Sequence, residues 1–128
     1  MSGGAGVLRE EDLKGLFPRE RVEAFFEAFY FGEEPAYDLE LGLGSFDPEK
    51  KILRLELRLK ARPGRCLACN LTWGLPEVFK RHPVLNLAGV VQALEEKLNG
   101  FRVRSWGLGP TEEIDENLHR IPLIIYLE

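Results

Sequence analysis

A chain of 128 residues fits one domain, and 45% hydrophobic with 30% charged side chains is enough to build a core without disulfides or metal. Its formal net charge of −4, from 17 basic and 21 acidic side chains, excludes a global pull toward nucleic acid or anionic lipid, so any anion site must be a local patch. Two cysteines are too few for a disulfide scaffold, and no apolar run approaches the ~20 residues that span a bilayer.

Residues 1–8, glycine-rich at the start, are expected to be disordered, and 9–128 to form a single α+β domain. Met1 to Gly6 lacks the basic-then-apolar pattern of a secretory signal, so a cytoplasmic protein is the expectation. Glu10 to Leu16 reads as a short helical turn closed by Phe17-Pro18. Pro18 suits the first position of a longer helix. Val22, Phe25, Phe26, Phe29 and Tyr30 give that helix one strongly apolar face, and Gly32 and Pro35 end it.

Tyr37 to Phe46 and Ile52 to Ala61 both alternate with period two, around a turn at Asp47-Pro48-Glu49-Lys50. Charge selects the hairpin register. Pairing Leu41 with Leu57 and Leu39 with Leu59 sets Glu40 against Arg58 and Asp38 against Lys60. A two-residue slip would set Glu40 against Glu56, and like charges across strands oppose pairing. Pro63-Gly64 then turns the chain into a third expected strand, Cys66 to Trp73, in a bulged hairpin with Leu59 opposite Cys69 and Leu57 opposite Leu71.

Pro76 to Arg81 starts with proline and stops at His82-Pro83, as a short helix would. Asn86 caps a further helix whose stripe is Leu87, Val90, Val91, Leu94 and Leu98, and Asn99-Gly100 ends it. Phe101 to Leu108 is a fourth strand. Gly109 to Leu118 reads as polar turn. Arg120 to Leu127 is a fifth strand, apolar on both faces, and such a strand is central or is covered by a partner. The expected fold is a five-stranded, mainly antiparallel sheet, a three-strand meander then two C-terminal strands, with helices packed on one face.

Cys66 and Cys69 form a C-x-x-C, which invites a metal or redox reading. Zinc wants four ligands, and the chain offers only His82 and His119 besides. In a strand, residues three apart point to opposite faces and lie ~10 Å apart, beyond the ~7 Å Cα separation of a disulfide. The residues therefore read as one buried thiol, Cys69, and one on the polar face, Cys66. A reactive Cys66, its thiol pKa lowered by Arg62 and Arg65, is the alternative. A metal set of Cys66, Cys69 and His82 is the outside reading.

Arg58, Lys60, Arg62, Arg65, Arg102 and Arg104 form a possible anion or partner face. Trp106, sharing the parity of Arg104, is the one aromatic that hints at nucleic acid there, so no nucleic-acid partner is expected. His82 precedes a proline at a helix end and His119 opens a strand; neither has a nucleophile beside it in sequence.

The run Arg62-Pro63-Gly64-Arg65-Cys66-Leu67-Ala68-Cys69-Asn70-Leu71-Thr72-Trp73-Gly74-Leu75-Pro76, followed by Phe79, Arg81-His82-Pro83 and Asn86, resembles a family of small uncharacterised bacterial proteins. Some of that family carry a misleading pancreas/duodenum homeobox label. The resemblance spans most of the chain and implies no activity. A homeobox would be a three-helix DNA-binding domain, which this strand-rich chain does not match. The expectation is a non-enzymatic domain that acts as a homodimer and binds a protein or small ligand, with no cofactor, no membrane and no catalytic residues. A thiol-dependent enzyme or redox or metal sensor using Cys66 with Cys69 is the rival.

Overall fold

The computed structural model describes residues 10–31, 37–64, 75–98 and 100–128. Two helices lead, α1 (Glu10–Leu16) and α2 (Arg19–Tyr30). A hairpin follows, β1 (Tyr37–Asp47) and β2 (Ile52–Ala61). Then come α3 (Leu75–Arg81), α4 (Leu87–Glu95), β3 (Val103–Leu108), β4 (Glu112–Asp115) and β5 (Leu118–Leu127). The fold is α+β, with a five-stranded sheet whose ladders are all antiparallel.

The hairpin has the register that charge selects: Leu39 opposes Leu59, Leu41 opposes Leu57, Glu40 opposes Arg58 and Asp38 opposes Lys60. Asp47 Oδ1 accepts from the backbone N–H groups of Glu49 and Lys50, each at 3.1 Å, which closes the turn. Lys51 completes it at φ 57°, in the left-handed region. A bulge between Leu43 and Ser45 returns Phe46 to the core side, opposite Leu53.

The neighbours of β2 differ from the expected meander. The strand order is β1-β2-β5-β3, with β4 also on β5. β5 runs along the whole second edge of β2, from Ile52 opposite Tyr126 to Lys60 opposite Leu118. Leu59 therefore faces His119, not Cys69, and Leu57 faces Ile121, not Leu71. Residues 66–73 lie outside the described residues. The doubly apolar β5 is central, which is where such a strand has a neighbour on both edges. The segment read as polar turn contains β4, whose Glu112 opposes Arg120.

Helix ends are set locally. Pro18 is the N-cap of α2, and Phe31 its C-cap at φ 54°. Asn86 caps α4, with its side chain accepting from Gly89 N at 3.3 Å. A side chain at Gly89 would collide with that Asn86 amide, so glycine lets the cap close. α4 ends at Glu95, before Leu98, and β3 starts at Val103, after Phe101. Both apolar residues still serve the core: Leu98 is buried and the Phe101 ring meets Phe46 edge-on at 5.4 Å.

One face of the sheet carries the core. Leu53, Leu55, Leu57 and Leu59 of β2 and Ile121, Leu123 and Ile125 of β5 are all essentially inaccessible. The helices bring Leu13, Phe25, Phe79, Val90 and Leu94 onto them. Each fully buried side chain of this size contributes ~1.5–3 kcal/mol.

Candidate interaction surfaces

The opposite face of the sheet has two ends of different chemistry. One end is a chain of charges running across four strands. Arg54 Nη2 lies 3.2 Å from Glu112, and Glu112 Oε1 accepts from Arg120 Nε at 2.7 Å. Arg120 Nη1 reaches Glu56 at 3.4 Å, and Glu56 accepts from Arg58 Nε at 2.8 Å. Arg58 continues to Glu10 of α1 at 3.5 Å and Glu40 at 3.9 Å, and Lys60 holds Glu40 at 2.8 Å. Asp38 takes Arg62 at 3.0 Å, although its opposed residue is Lys60, so the ion pairs run diagonally. The hydrogen bond from Arg120, helped by Arg54, holds the Glu112 carboxyl below the usual carboxylate range.

Gly42 makes part of this chain possible. A Cβ there would collide with the Arg58 guanidinium, which lies across β1 on its way to Leu43 O and Glu10. Glu10 in turn accepts from Leu43 N at 2.6 Å. The result ties α1 to the rim of the sheet through one arginine and one carboxylate.

The other end of this face is apolar. Ile52 and Tyr126 oppose each other, Ile124 lies next along β5, and Ser105 and Gly107 of β3 pair beside them. Tyr126 is 37% exposed, and Ile52 and Ile124 are half-buried. A Cβ built at Gly107 would meet no atom within 4 Å among the described residues.

The expected basic patch is divided by this topology. Arg58, Lys60 and Arg62 sit on and beside β2, each against at least one carboxylate. Arg102 and Arg104 belong to the β3 edge, with β5 between the two groups. Arg65 lies outside the described residues. A bulge between Val103 and Ser105 puts Trp106 opposite Ile125 and against the core, so it shares no face with an arginine row. Alternation alone could not reveal that shift.

A groove of about 420 Å³ opens beside β1, the outermost strand among the described residues. Phe17, Val22 and Phe26 form its apolar side, Leu39 its floor, and Lys14 and Arg62 stand at its rim. This is within the usual volume of ligand pockets. No local sequence signal marked it, because its lining comes from three separate stretches of chain. The Arg62 guanidinium carbon lies 5.7 Å from the Phe26 ring centre, a cation–π distance.

His82 belongs to an aromatic cluster. Its ring stands edge-on to Phe25 at 4.9 Å, and its Nδ1 accepts from Val84 N at 3.2 Å. These contacts give it a structural place at the α3 end. Beside it, the Tyr30 and Tyr37 hydroxyls meet at 2.8 Å. Burial pushes both phenols up, most strongly Tyr37, where the Tyr30 hydrogen bond adds to the effect. His119 is wholly buried on the core side of β5.

Cys66 and Cys69 lie outside the described residues, and so does the thiol chemistry they would carry. Among the described residues no group of three or more His, Cys, Asp or Glu is arranged to hold a metal ion. No helix among them is long and apolar enough to cross a membrane. No protein-family model, curated protein or solved structure matches the chain.

Proposed function

We propose that the protein is a non-enzymatic binding domain that works as a homodimer, formed across the outer face of its sheet. The observation that carries this reading is the apolar end of that face. Ile52, Ile124 and Tyr126 stand beside Gly107, and among the described residues no layer covers them. An antiparallel sheet with helices on one side leaves its second face to water or to a partner, and a second sheet stacks on such a face at ~10 Å separation. The adjoining charges favour a like partner. Arg54, Arg120 and Arg58 alternate with Glu112 and Glu56, so a second copy rotated by a twofold axis meets both signs instead of one repelling field.

Light scattering of the intact protein at micromolar concentration tests the reading. The dimer requires twice the chain mass of 14.6 kDa. A concentration-independent monomer mass would sink it and leave the apolar end as ordinary exposed surface.

A further inference from the structure

We propose that the outer edge of β1, unpaired among the described residues, is a docking site for an extended segment of a partner protein in which apolar residues alternate with lysine or arginine. This does not depend on the homodimer, which uses the outer face of the sheet where this site uses the β1 edge.

The backbone geometry comes first. Pro122 has no N–H and sits opposite Glu56, while its carbonyl accepts from Gly109 N at 2.9 Å, away from β2. Backbone groups alternate sides along a strand. The odd-numbered residues of β2 therefore bond toward β5. Ala61 N to Asn117 O and Leu127 N to Lys51 O, both 2.8 Å, agree. Across the hairpin, Tyr37 opposes Ala61, Leu39 opposes Leu59 and Leu41 opposes Leu57. Their N–H and C=O groups point outward, away from β2. Leu43, on the same parity, shows what that edge accepts: its N–H is taken by the Glu10 carboxylate. Among the described residues no backbone group bonds the outward groups of Leu39 and Leu41.

Among the described residues this edge is unpaired and lies beside an apolar groove, the arrangement used when a peptide adds a strand to a sheet. The two faces of the added strand meet different chemistry. Side chains on the core side enter the groove at Phe17, Val22 and Phe26. Side chains on the outer side fall next to Asp38 and Glu40. β2 already presents Lys60 and Arg58 opposite those acids, so basic residues in the next strand continue the alternation of sign. A second copy of β1 fits badly: pairing centred on Leu39 places Asp38 against Glu40 of the other chain.

The test is an NMR titration of the intact, ¹⁵N-labelled protein with three blocked hexapeptides. The first alternates lysine and valine, the second alternates glutamate and valine, and the third repeats the first with proline for the central valine. The lysine–valine peptide should shift the Leu39 and Leu41 amides and slow their hydrogen exchange, and should bind about tenfold tighter than the glutamate peptide. The proline peptide should not bind at that edge. The double variant Asp38→Asn, Glu40→Gln should abolish the charge preference without loss of fold. Equal binding of the proline peptide would reduce the effect to net charge and overturn the proposal. So would shifts confined to other amides, or Leu39 and Leu41 amides already protected in a concentration-dependent way, which would make a second copy the occupant.

Discussion

The two faces of β2 belong to one strand and do different work. On one side Leu53, Leu55, Leu57 and Leu59 disappear under the helices. On the other, Arg54, Glu56 and Arg58 are fastened into a chain of ion pairs that stays in contact with water. The leucine face supplies the energy of folding, because burial stabilises each side chain by kilocalories. The charged face supplies register and identity, because exposed pairs contribute little each but discriminate between alignments. A face built that way can also receive a partner without unfolding anything.

The largest expected effect attacks the leucine face. Leu57→Ala should cost about 2–5 kcal/mol in chemical denaturation, since it removes buried methyl groups from a position with no exposure. A loss below ~1 kcal/mol would erase the contrast between the faces.

Glu56→Gln probes the best-shielded charge on the other side. Its side chain is only 12% exposed and joins Arg58 to Arg120. The change should cost about 1–3 kcal/mol by leaving two guanidiniums short of a carboxylate. An unchanged midpoint would mean that the chain of pairs has no energetic centre.

Tyr37→Phe removes one hydroxyl of the Tyr30–Tyr37 pair and should cost about 0.5–1.5 kcal/mol. Its pH signature is sharper than its size. Burial raises Tyr37, so the native chain keeps a proton that the unfolded chain releases near the ordinary tyrosine value of 10.0. That stability is fully present below pH ~10 and is lost as pH rises toward the raised native value. Denaturation curves of the variant should fall less steeply above that pH.

Glu112→Gln should give the smallest change, a few tenths of a kcal/mol at neutral pH, because its side chain is 35% exposed. Its native carboxyl lies below the ordinary value, chiefly through Arg120. The contribution is therefore present above the unfolded value and disappears as pH falls through the native one. The variant should show a flatter acid limb, and an identical limb would mean the pairing is not made in solution.

The sequence made the first hairpin legible down to individual pairs, because leucines and charges of opposite sign alternate in the same two strands. It also marked β5 as a strand that needs cover on both sides. It could not say which strand β5 would flank. The Pro63-Gly64 turn pointed β2 toward its nearest successor, while the ladder joins it to a strand more than fifty positions on, and local pattern carries no information about such distances. β4 was hidden because Glu112 and Glu113 have low strand preference, and its place rests on Arg120 and Arg54 instead of on an apolar face. The groove at β1 was invisible for a related reason: Phe17, Val22 and Leu39 are unremarkable separately and converge only in space.

The most direct measurement is sedimentation equilibrium of the native protein beside an Ile124→Glu variant, with circular dichroism as the check on folding. Ile124 is half-buried on the open face, so the substitution places charge where the proposed partner sits while leaving the leucine core untouched. The account predicts a dimer for the native chain and a folded monomer of 14.6 kDa for the variant. Equal masses for the two proteins would contradict it.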